Sequence, residues 1–167
     1  MTDSPDQSEV HQLIADIEGA FGDVGLGDGR SLHQADAIDR YRPDSEIEAA
    51  RKMDSEQRWQ DIPDEKVEKF NMALAFMDAA GFRFHMPRFM VYSLTHREYV
   101  GFAIYAPIYS CNFNDAARDR AVARYALLSD NQRRIIVKYL RFAAAHEEFF
   151  DAAKAAEALH DYWSQYE

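Results

Sequence analysis

A chain of 167 residues, 47% hydrophobic and 13% aromatic, is long enough for one domain with a real core and too apolar for wholesale disorder. Its one cysteine, Cys111, excludes an intramolecular disulfide and a cysteine-rich zinc site, and no apolar run approaches the ~18 residues of a membrane span. The net charge of −10 argues against a nucleic-acid partner, and the acidic, polar start MTDSPDQSEV suits neither a secretory signal nor a mitochondrial presequence, so the expectation is a cytoplasmic, bacterial protein.

The charge is unevenly placed. Residues 1–66 hold 17 acids and 7 bases, residues 83–141 hold 10 bases and 4 acids, and residues 142–167 hold 6 acids and 1 base. Two arrangements follow: the acidic and basic parts face each other in the fold, or an acidic surface is left to steer a basic protein partner. Arg118, Arg120, Arg124, Arg133 and Arg134 could form a local basic patch against the overall sign.

In chain order, residues 1–7 are expected to fray. A helix over 8–21 places Val10, Leu13, Ile14, Ile17 and Phe21 on one face. Residues 22–30 hold four of the seven glycines together with Asp23 and Asp28, and are expected to be a flexible loop. The run resembles a phosphate loop in spacing only: no strand precedes it, it has no lysine, and its acids repel phosphate. Calcium-loop spacing is also missing.

Ser31 and Gln34 form a capping box into a helix ending near Tyr41, with His33, Asp36 and Arg40 as polar neighbours. His33 and Asp36 alone are too few for a metal site. Pro43 breaks the chain, and Ser45 through Glu48 reads as a second capping box into a short charged helix. Trp59 follows, beside Asp61 and Pro63, either half-buried with its N–H bonded or exposed as a binding anchor.

Pro63-Asp64-Glu65 opens the next predicted helix, because proline loses no hydrogen bond there and acids complement the dipole. Val67, Phe70, Leu74 and Met77 share its face, and Gly81 reads as its terminator. Phe82 to Met86 alternates apolar with polar and precedes Pro87, which predicts a short extended crossing before another helix.

The run RWQDIPDE…GFRFHMPRFM resembles a family of bacterial proteins known as a domain of unknown function, marked by Trp-x-Asp-Ile-Pro and Gly-Phe-Arg-Phe-x-x-Pro segments, each preceding a helix. The likeness runs from about Ser31 through Leu94, and resumes at Leu128 to Gln132 and at Tyr162-Trp163. His85 stands where that family usually has an aromatic, and Arg88-Phe89 where a small residue and tyrosine are more common. The resemblance implies a fold and carries no activity.

Beyond it, the β-branched and aromatic content of 99–109 favours a strand near 99–105, interrupted by Gly101 and Pro107, with a helical continuation to about 105 as the alternative. A helix is predicted over 116–127. Ser129 and Gln132 form another capping box, into a helix over 131–145 with Ile135, Ile136, Tyr139, Leu140 and Ala143 inward. A last helix over 149–165, with Ala152, Ala156, Leu159 and Trp163 on one face, completes an antiparallel hairpin.

The expected fold is therefore mainly α: one domain, about seven helices, one extended segment near 82–86 and a strand option near 99–105. No catalytic or metal-ligating constellation stands out and no cofactor is implied, because the serines read as helix caps and Cys111 has no local context. Two functions are carried forward. One is a protein-interaction module, in its sharpest form an immunity- or antitoxin-like partner of a basic toxin enzyme. The other is a small-ligand-binding protein or enzyme with a polar pocket around Trp59, Asp61, Arg83 and His85.

Overall fold

The computed structural model describes residues 5–167. Nine α-helices occupy them: α1 (Pro5–Phe21), α2 (Leu32–Asp39), α3 (Asp44–Ala50), α4 (Asp64–Lys69), α5 (Ala79–Thr95), α6 (Phe102–Ser110), α7 (Arg118–Arg124), α8 (Asp130–Ala145) and α9 (Ala152–Asp161). Short 3-10 turns join them, and no strand occurs among the described residues. The expected fraying of 1–7 falls partly outside the described residues; 5–7 form the first turn of α1.

Five helices close a ring. α5 packs on α1, α1 on α8, α8 on α9, α9 on α6, and α6 back on α5. The helix faces read from periodicity supply its interior. Val10, Leu13, Ile17 and Phe21 of α1 are buried, as are Ile135, Ile136, Tyr139, Leu140 and Ala143 of α8. The Ser129 cap forms as predicted: its hydroxyl accepts from Gln132 N (3.1 Å), and Gln132 Oε1 accepts from Ser129 N (3.0 Å).

Four polar side chains inside this ring are paired. Tyr125 donates to Ser110 O (2.6 Å), Trp163 Nε1 to Cys111 O (3.1 Å), and Ser93 and Tyr139 share a hydroxyl–hydroxyl bond (2.7 Å). Cys111 is buried, and loss of solvation pushes its thiol up to about 12, away from reactivity.

Residues 82–86 are helical, contrary to the expected extended crossing. They lie inside α5, which begins at Ala79, capped by Asp78, rather than after Pro87. The Asp78 carboxylate accepts from Gly81 N (2.8 Å) and from Arg30 N (3.0 Å), so it caps the helix and holds the preceding loop. α5 is apolar on nearly all sides, and His85 and Arg88 are buried with the rest. The alternation therefore marked no solvent face, and packing around α5 carries the helix past Pro87.

Gly81 does not end a helix. It sits in the first turn of α5 against Gly29, where a Cβ on either glycine would come within 2.7 Å of backbone. The strand option near 99–105 is also displaced, since α6 starts at Phe102 and continues through Pro107.

The predicted helix over 63–81 is broken. α4 ends at Lys69 and a separate 3-10 turn spans Ala73–Phe76, although Val67, Phe70, Leu74 and Met77 are all buried as expected. In α9 the buried alanines are Ala155 and Ala158; Ala156 is exposed, one residue off the predicted register.

Candidate functional site: the α2–α3 face

α2 and α3 stand outside the ring and dock through the 73–76 turn. Ser31 caps α2 as the sequence predicts, accepting from Gln34 N (3.4 Å) while Gln34 Oε1 accepts from Ser31 N (3.0 Å). The far end carries a feature that the sequence does not announce. Arg42 N donates to Ala37 O and Tyr41 N to Ile38 O, both at 3.0 Å, the bond pattern of a Schellman terminus. Its left-handed position is Tyr41, at φ 56°, where glycine is usual. The ring of Tyr41 is 95% exposed. α3 then begins at Asp44, with Pro43 at the N-cap and no side-chain cap, so the Ser45 capping box does not form.

α3 buries none of its residues, and polar anchors fix the unit it belongs to. Arg51 donates through Nη2 to Gly27 O (2.6 Å) and through Nη1 to Gly29 O, which ties the glycine loop to the end of α3. Asp54 accepts from His33 N (2.9 Å), from the His33 ring at Nδ1 (2.8 Å) and from Lys66 Nζ (2.9 Å); Lys66 also reaches Glu56 (2.7 Å). Burial alone would raise the Asp54 pKa. Hydrogen bonds from Ser31, from the backbone and ring of His33, and from Lys66 outweigh it, and the carboxyl falls to about 2.

Between α2, α3 and Phe70 lies an open cleft of about 500 Å³. Ala37, Ala49, Ala50, Met53 and Phe70 supply apolar surface, with His33, Asp36, Arg40, Arg42, Glu46 and Lys69 as polar lining. His33 sits edge-on to Phe70 at 4.6 Å, and Lys69 lies 5.1 Å from the Phe70 ring centre. Arg40 pairs with Asp36 (2.9 Å). Met53 is 62% exposed at the cleft and Tyr41 is exposed at the tip of the unit, so aromatic and thioether surface meets a charged rim.

Three N-terminal acids reach the basic segment: Asp64 pairs with Arg88 and with His96 (3.1 Å), Asp6 with Arg97 (2.7 Å), and Asp16 with Lys138 (3.2 Å). The other bases of that segment are largely held elsewhere. Arg83 donates to Leu127 O, Arg124 to Ala75 O, and Arg133 to the Tyr162 and Tyr166 hydroxyls, while Arg118 lies over Phe113 and Tyr162. Asp39, Asp44, Glu48, Asp61 and Glu65 are exposed and form no ion pair among the described residues; Lys52 and Arg58 are the nearby exposed bases in the same condition. The acidic excess is thus only partly met from within.

The four residues expected to surround a pocket go separate ways. Trp59 is buried and donates from Nε1 to Phe21 O (2.9 Å), closing the end of α1. Asp61 is exposed. Arg83 reaches across to Leu127 O (3.3 Å). His85 is buried and donates from Nδ1 to Gly81 O (2.7 Å); burial drives its pKa down to about 4, against the pull of that hydrogen bond and of Asp54 and Glu56. None of the four lines the α2–α3 cleft, and the partners of Trp59, Arg83 and His85 lie in three different parts of the chain.

No group of three or more metal-ligating side chains occurs among the described residues, and no helix among them is long and apolar enough to cross a membrane. Fold and surface together define a single-domain all-helical protein whose polar clusters are built mainly as fastenings. The chain belongs to a family of unknown function, DUF6714, which matches residues 9–167. No curated protein and no solved structure matches it.

Proposed function

We propose that this chain is a protein-interaction module whose α2–α3 face receives a basic protein partner through its exposed, unpaired acids Asp39, Asp44 and Glu48. The observation that carries the reading is Tyr41: a fully presented aromatic in a backbone conformation that a glycine would adopt more easily, beside an apolar-floored cleft and the unpaired acids Asp39, Asp44 and Glu48. Asp44 and Glu48 lie one turn apart on α3 and share a side of it. A basic surface approaching this face is steered by the acids and gains an aromatic anchor.

In its most specific form the module is an immunity- or antitoxin-like protein that covers the basic cleft of a toxin enzyme. Affinity purification from the native host tests both levels. The reading expects a basic protein that elutes as salt is raised, encoded beside this chain's gene and toxic when expressed alone. Recovery of no basic partner removes the reading, and recovery of a basic partner that is not toxic removes its specific form.

A further inference from the structure

A second surface lies along α6 and owes nothing to the α2–α3 face. α6 carries no charged residue. Of the seven large hydrophobic residues exposed among those described, four border the groove between α6 and residues 71–76: Met72, Tyr99, Val100 and Tyr109. Val100 is fully exposed at the entry to α6 and Tyr99 is 65% exposed beside it. Single exposed apolar side chains are ordinary, but a cluster along one groove marks a contact surface.

The groove has two compartments that meet at Asn71 and Phe102. One, of about 380 Å³, lies at the N-terminal end of α6 and includes Glu68. The other, of about 200 Å³, lies toward the C-terminal end, with Leu74, Ala75 and Ala106 on its walls and Arg124 at its rim. Glu68 accepts from the Tyr92 hydroxyl (2.8 Å), Arg124 donates to Ala75 O (2.7 Å), and neither forms an ion pair among the described residues. Among its lining residues the groove is uncharged along its middle, with Glu68 at one end and Arg124 at the other; Asp151, which accepts from Tyr109 (2.8 Å), stands beside the Arg124 end.

That polarity is self-complementary. A groove of one sign repels its own copy, whereas a groove with opposite ends attracts it when turned end for end. We infer that the α6 groove seats a second copy of this chain about a two-fold axis, with the two α6 helices antiparallel. Glu68 of each protomer then faces Arg124 of the other, and Val100 of each enters the compartment walled by Ala75 and Ala106 of the other. Every contact occurs twice, as a closed two-fold interface requires. An uncharged centre with charge at the margin is the usual anatomy of such an interface.

Sedimentation velocity of the full chain from about 1 to 200 µM tests this, since a dimer dissociates on dilution. The expected result is a monomer–dimer equilibrium that Val100→Asp weakens at least about tenfold, because a carboxylate then enters an apolar compartment. Val100 is fully exposed in the protomer, so helix content and melting of the variant should match the parent. Oxidising a mixture of Val100→Cys and Tyr109→Cys chains supplies a second readout. The antiparallel arrangement gives the mixed disulfide in preference to the Val100→Cys homodimer, whose sulfurs lie beyond the ~7 Å Cα reach of a bridge. A chain that stays monomeric throughout overturns the inference. So does a dimer indifferent to Val100→Asp, or a predominance of the Val100→Cys homodimer.

Discussion

Asp54 holds His33 at two points, accepting from its backbone N–H at 2.9 Å and from its ring at 2.8 Å. One carboxylate thereby fixes the first turn of α2 and the orientation of an imidazole in the wall of the cleft. Lys66 completes the cluster from α4, so a single buried anion joins three segments of the N-terminal half.

Asp54→Asn should cost about 1–3 kcal/mol, because the amide cannot accept from all three donors. The pH dependence has a definite sign. Asp54 titrates lower in the folded chain than in the unfolded one, so its contribution is present above about pH 4 and fades as pH falls toward 2. Urea midpoints between pH 5 and pH 2 should fall more steeply for the parent than for Asp54→Asn; parallel curves would contradict the assigned role.

His85 governs a higher window. Its folded pKa is lowered to about 4 and its unfolded value is near 6.5, so the neutral ring's contribution is full above about pH 6.5 and is lost as pH falls toward 4. His85→Phe should flatten stability between those limits and leave the Asp54 limb below them intact. Histidine resonances followed by NMR read the same property directly: a buried ring still neutral at pH 5.5 agrees, and one already protonated there does not.

Tyr41→Gly should stabilise the isolated chain by roughly 1 kcal/mol, since glycine enters the left-handed position without the Cβ penalty. The same substitution should weaken partner binding at least about tenfold by removing the anchor. Thermal melting and binding are expected to move in opposite directions. A lower melting temperature would mean that the exposed ring supports the fold.

Trp59→Phe should cost about 2–4 kcal/mol, through loss of the bond to Phe21 O and the cavity left by the smaller ring. Gly81→Ala should also destabilise, because the added Cβ meets Arg30 O at 2.7 Å where α5 and the glycine loop touch. Chemical denaturation measures both, and neither substitution should alter partner binding if the chain remains folded.

Periodicity and capping made the helical class legible. The faces of α1 and α8 and the caps at Ser31 and Ser129 appear where the sequence puts them, because each depends on residues three or four apart. α5 was not legible. Its tertiary neighbours override Pro87 and bury Phe82, Phe84, His85 and Met86, leaving only Arg83 of the alternation partly exposed.

The α2–α3 face was hidden for a related reason. Arg51 meets Gly27 and Gly29 across 24 and 22 positions, Asp54 meets His33 across 21, and nothing local marks Tyr41 as left-handed. Trp59 takes the N–H-bonded alternative, more deeply buried than expected, and His85 is a buried fastening whose partner the sequence does not mark.

The most direct test of the α2–α3 interaction face is partner binding by a chain carrying Asp39→Lys, Asp44→Lys and Glu48→Lys together. All three positions are exposed and unpaired, so the chain should fold, at a modest cost from placing a cation in the first turn of α3. The account predicts that the parent chain retains a basic protein from its host in a salt-sensitive manner and that the triple variant, equally folded, releases it. Equal retention by both chains would contradict it.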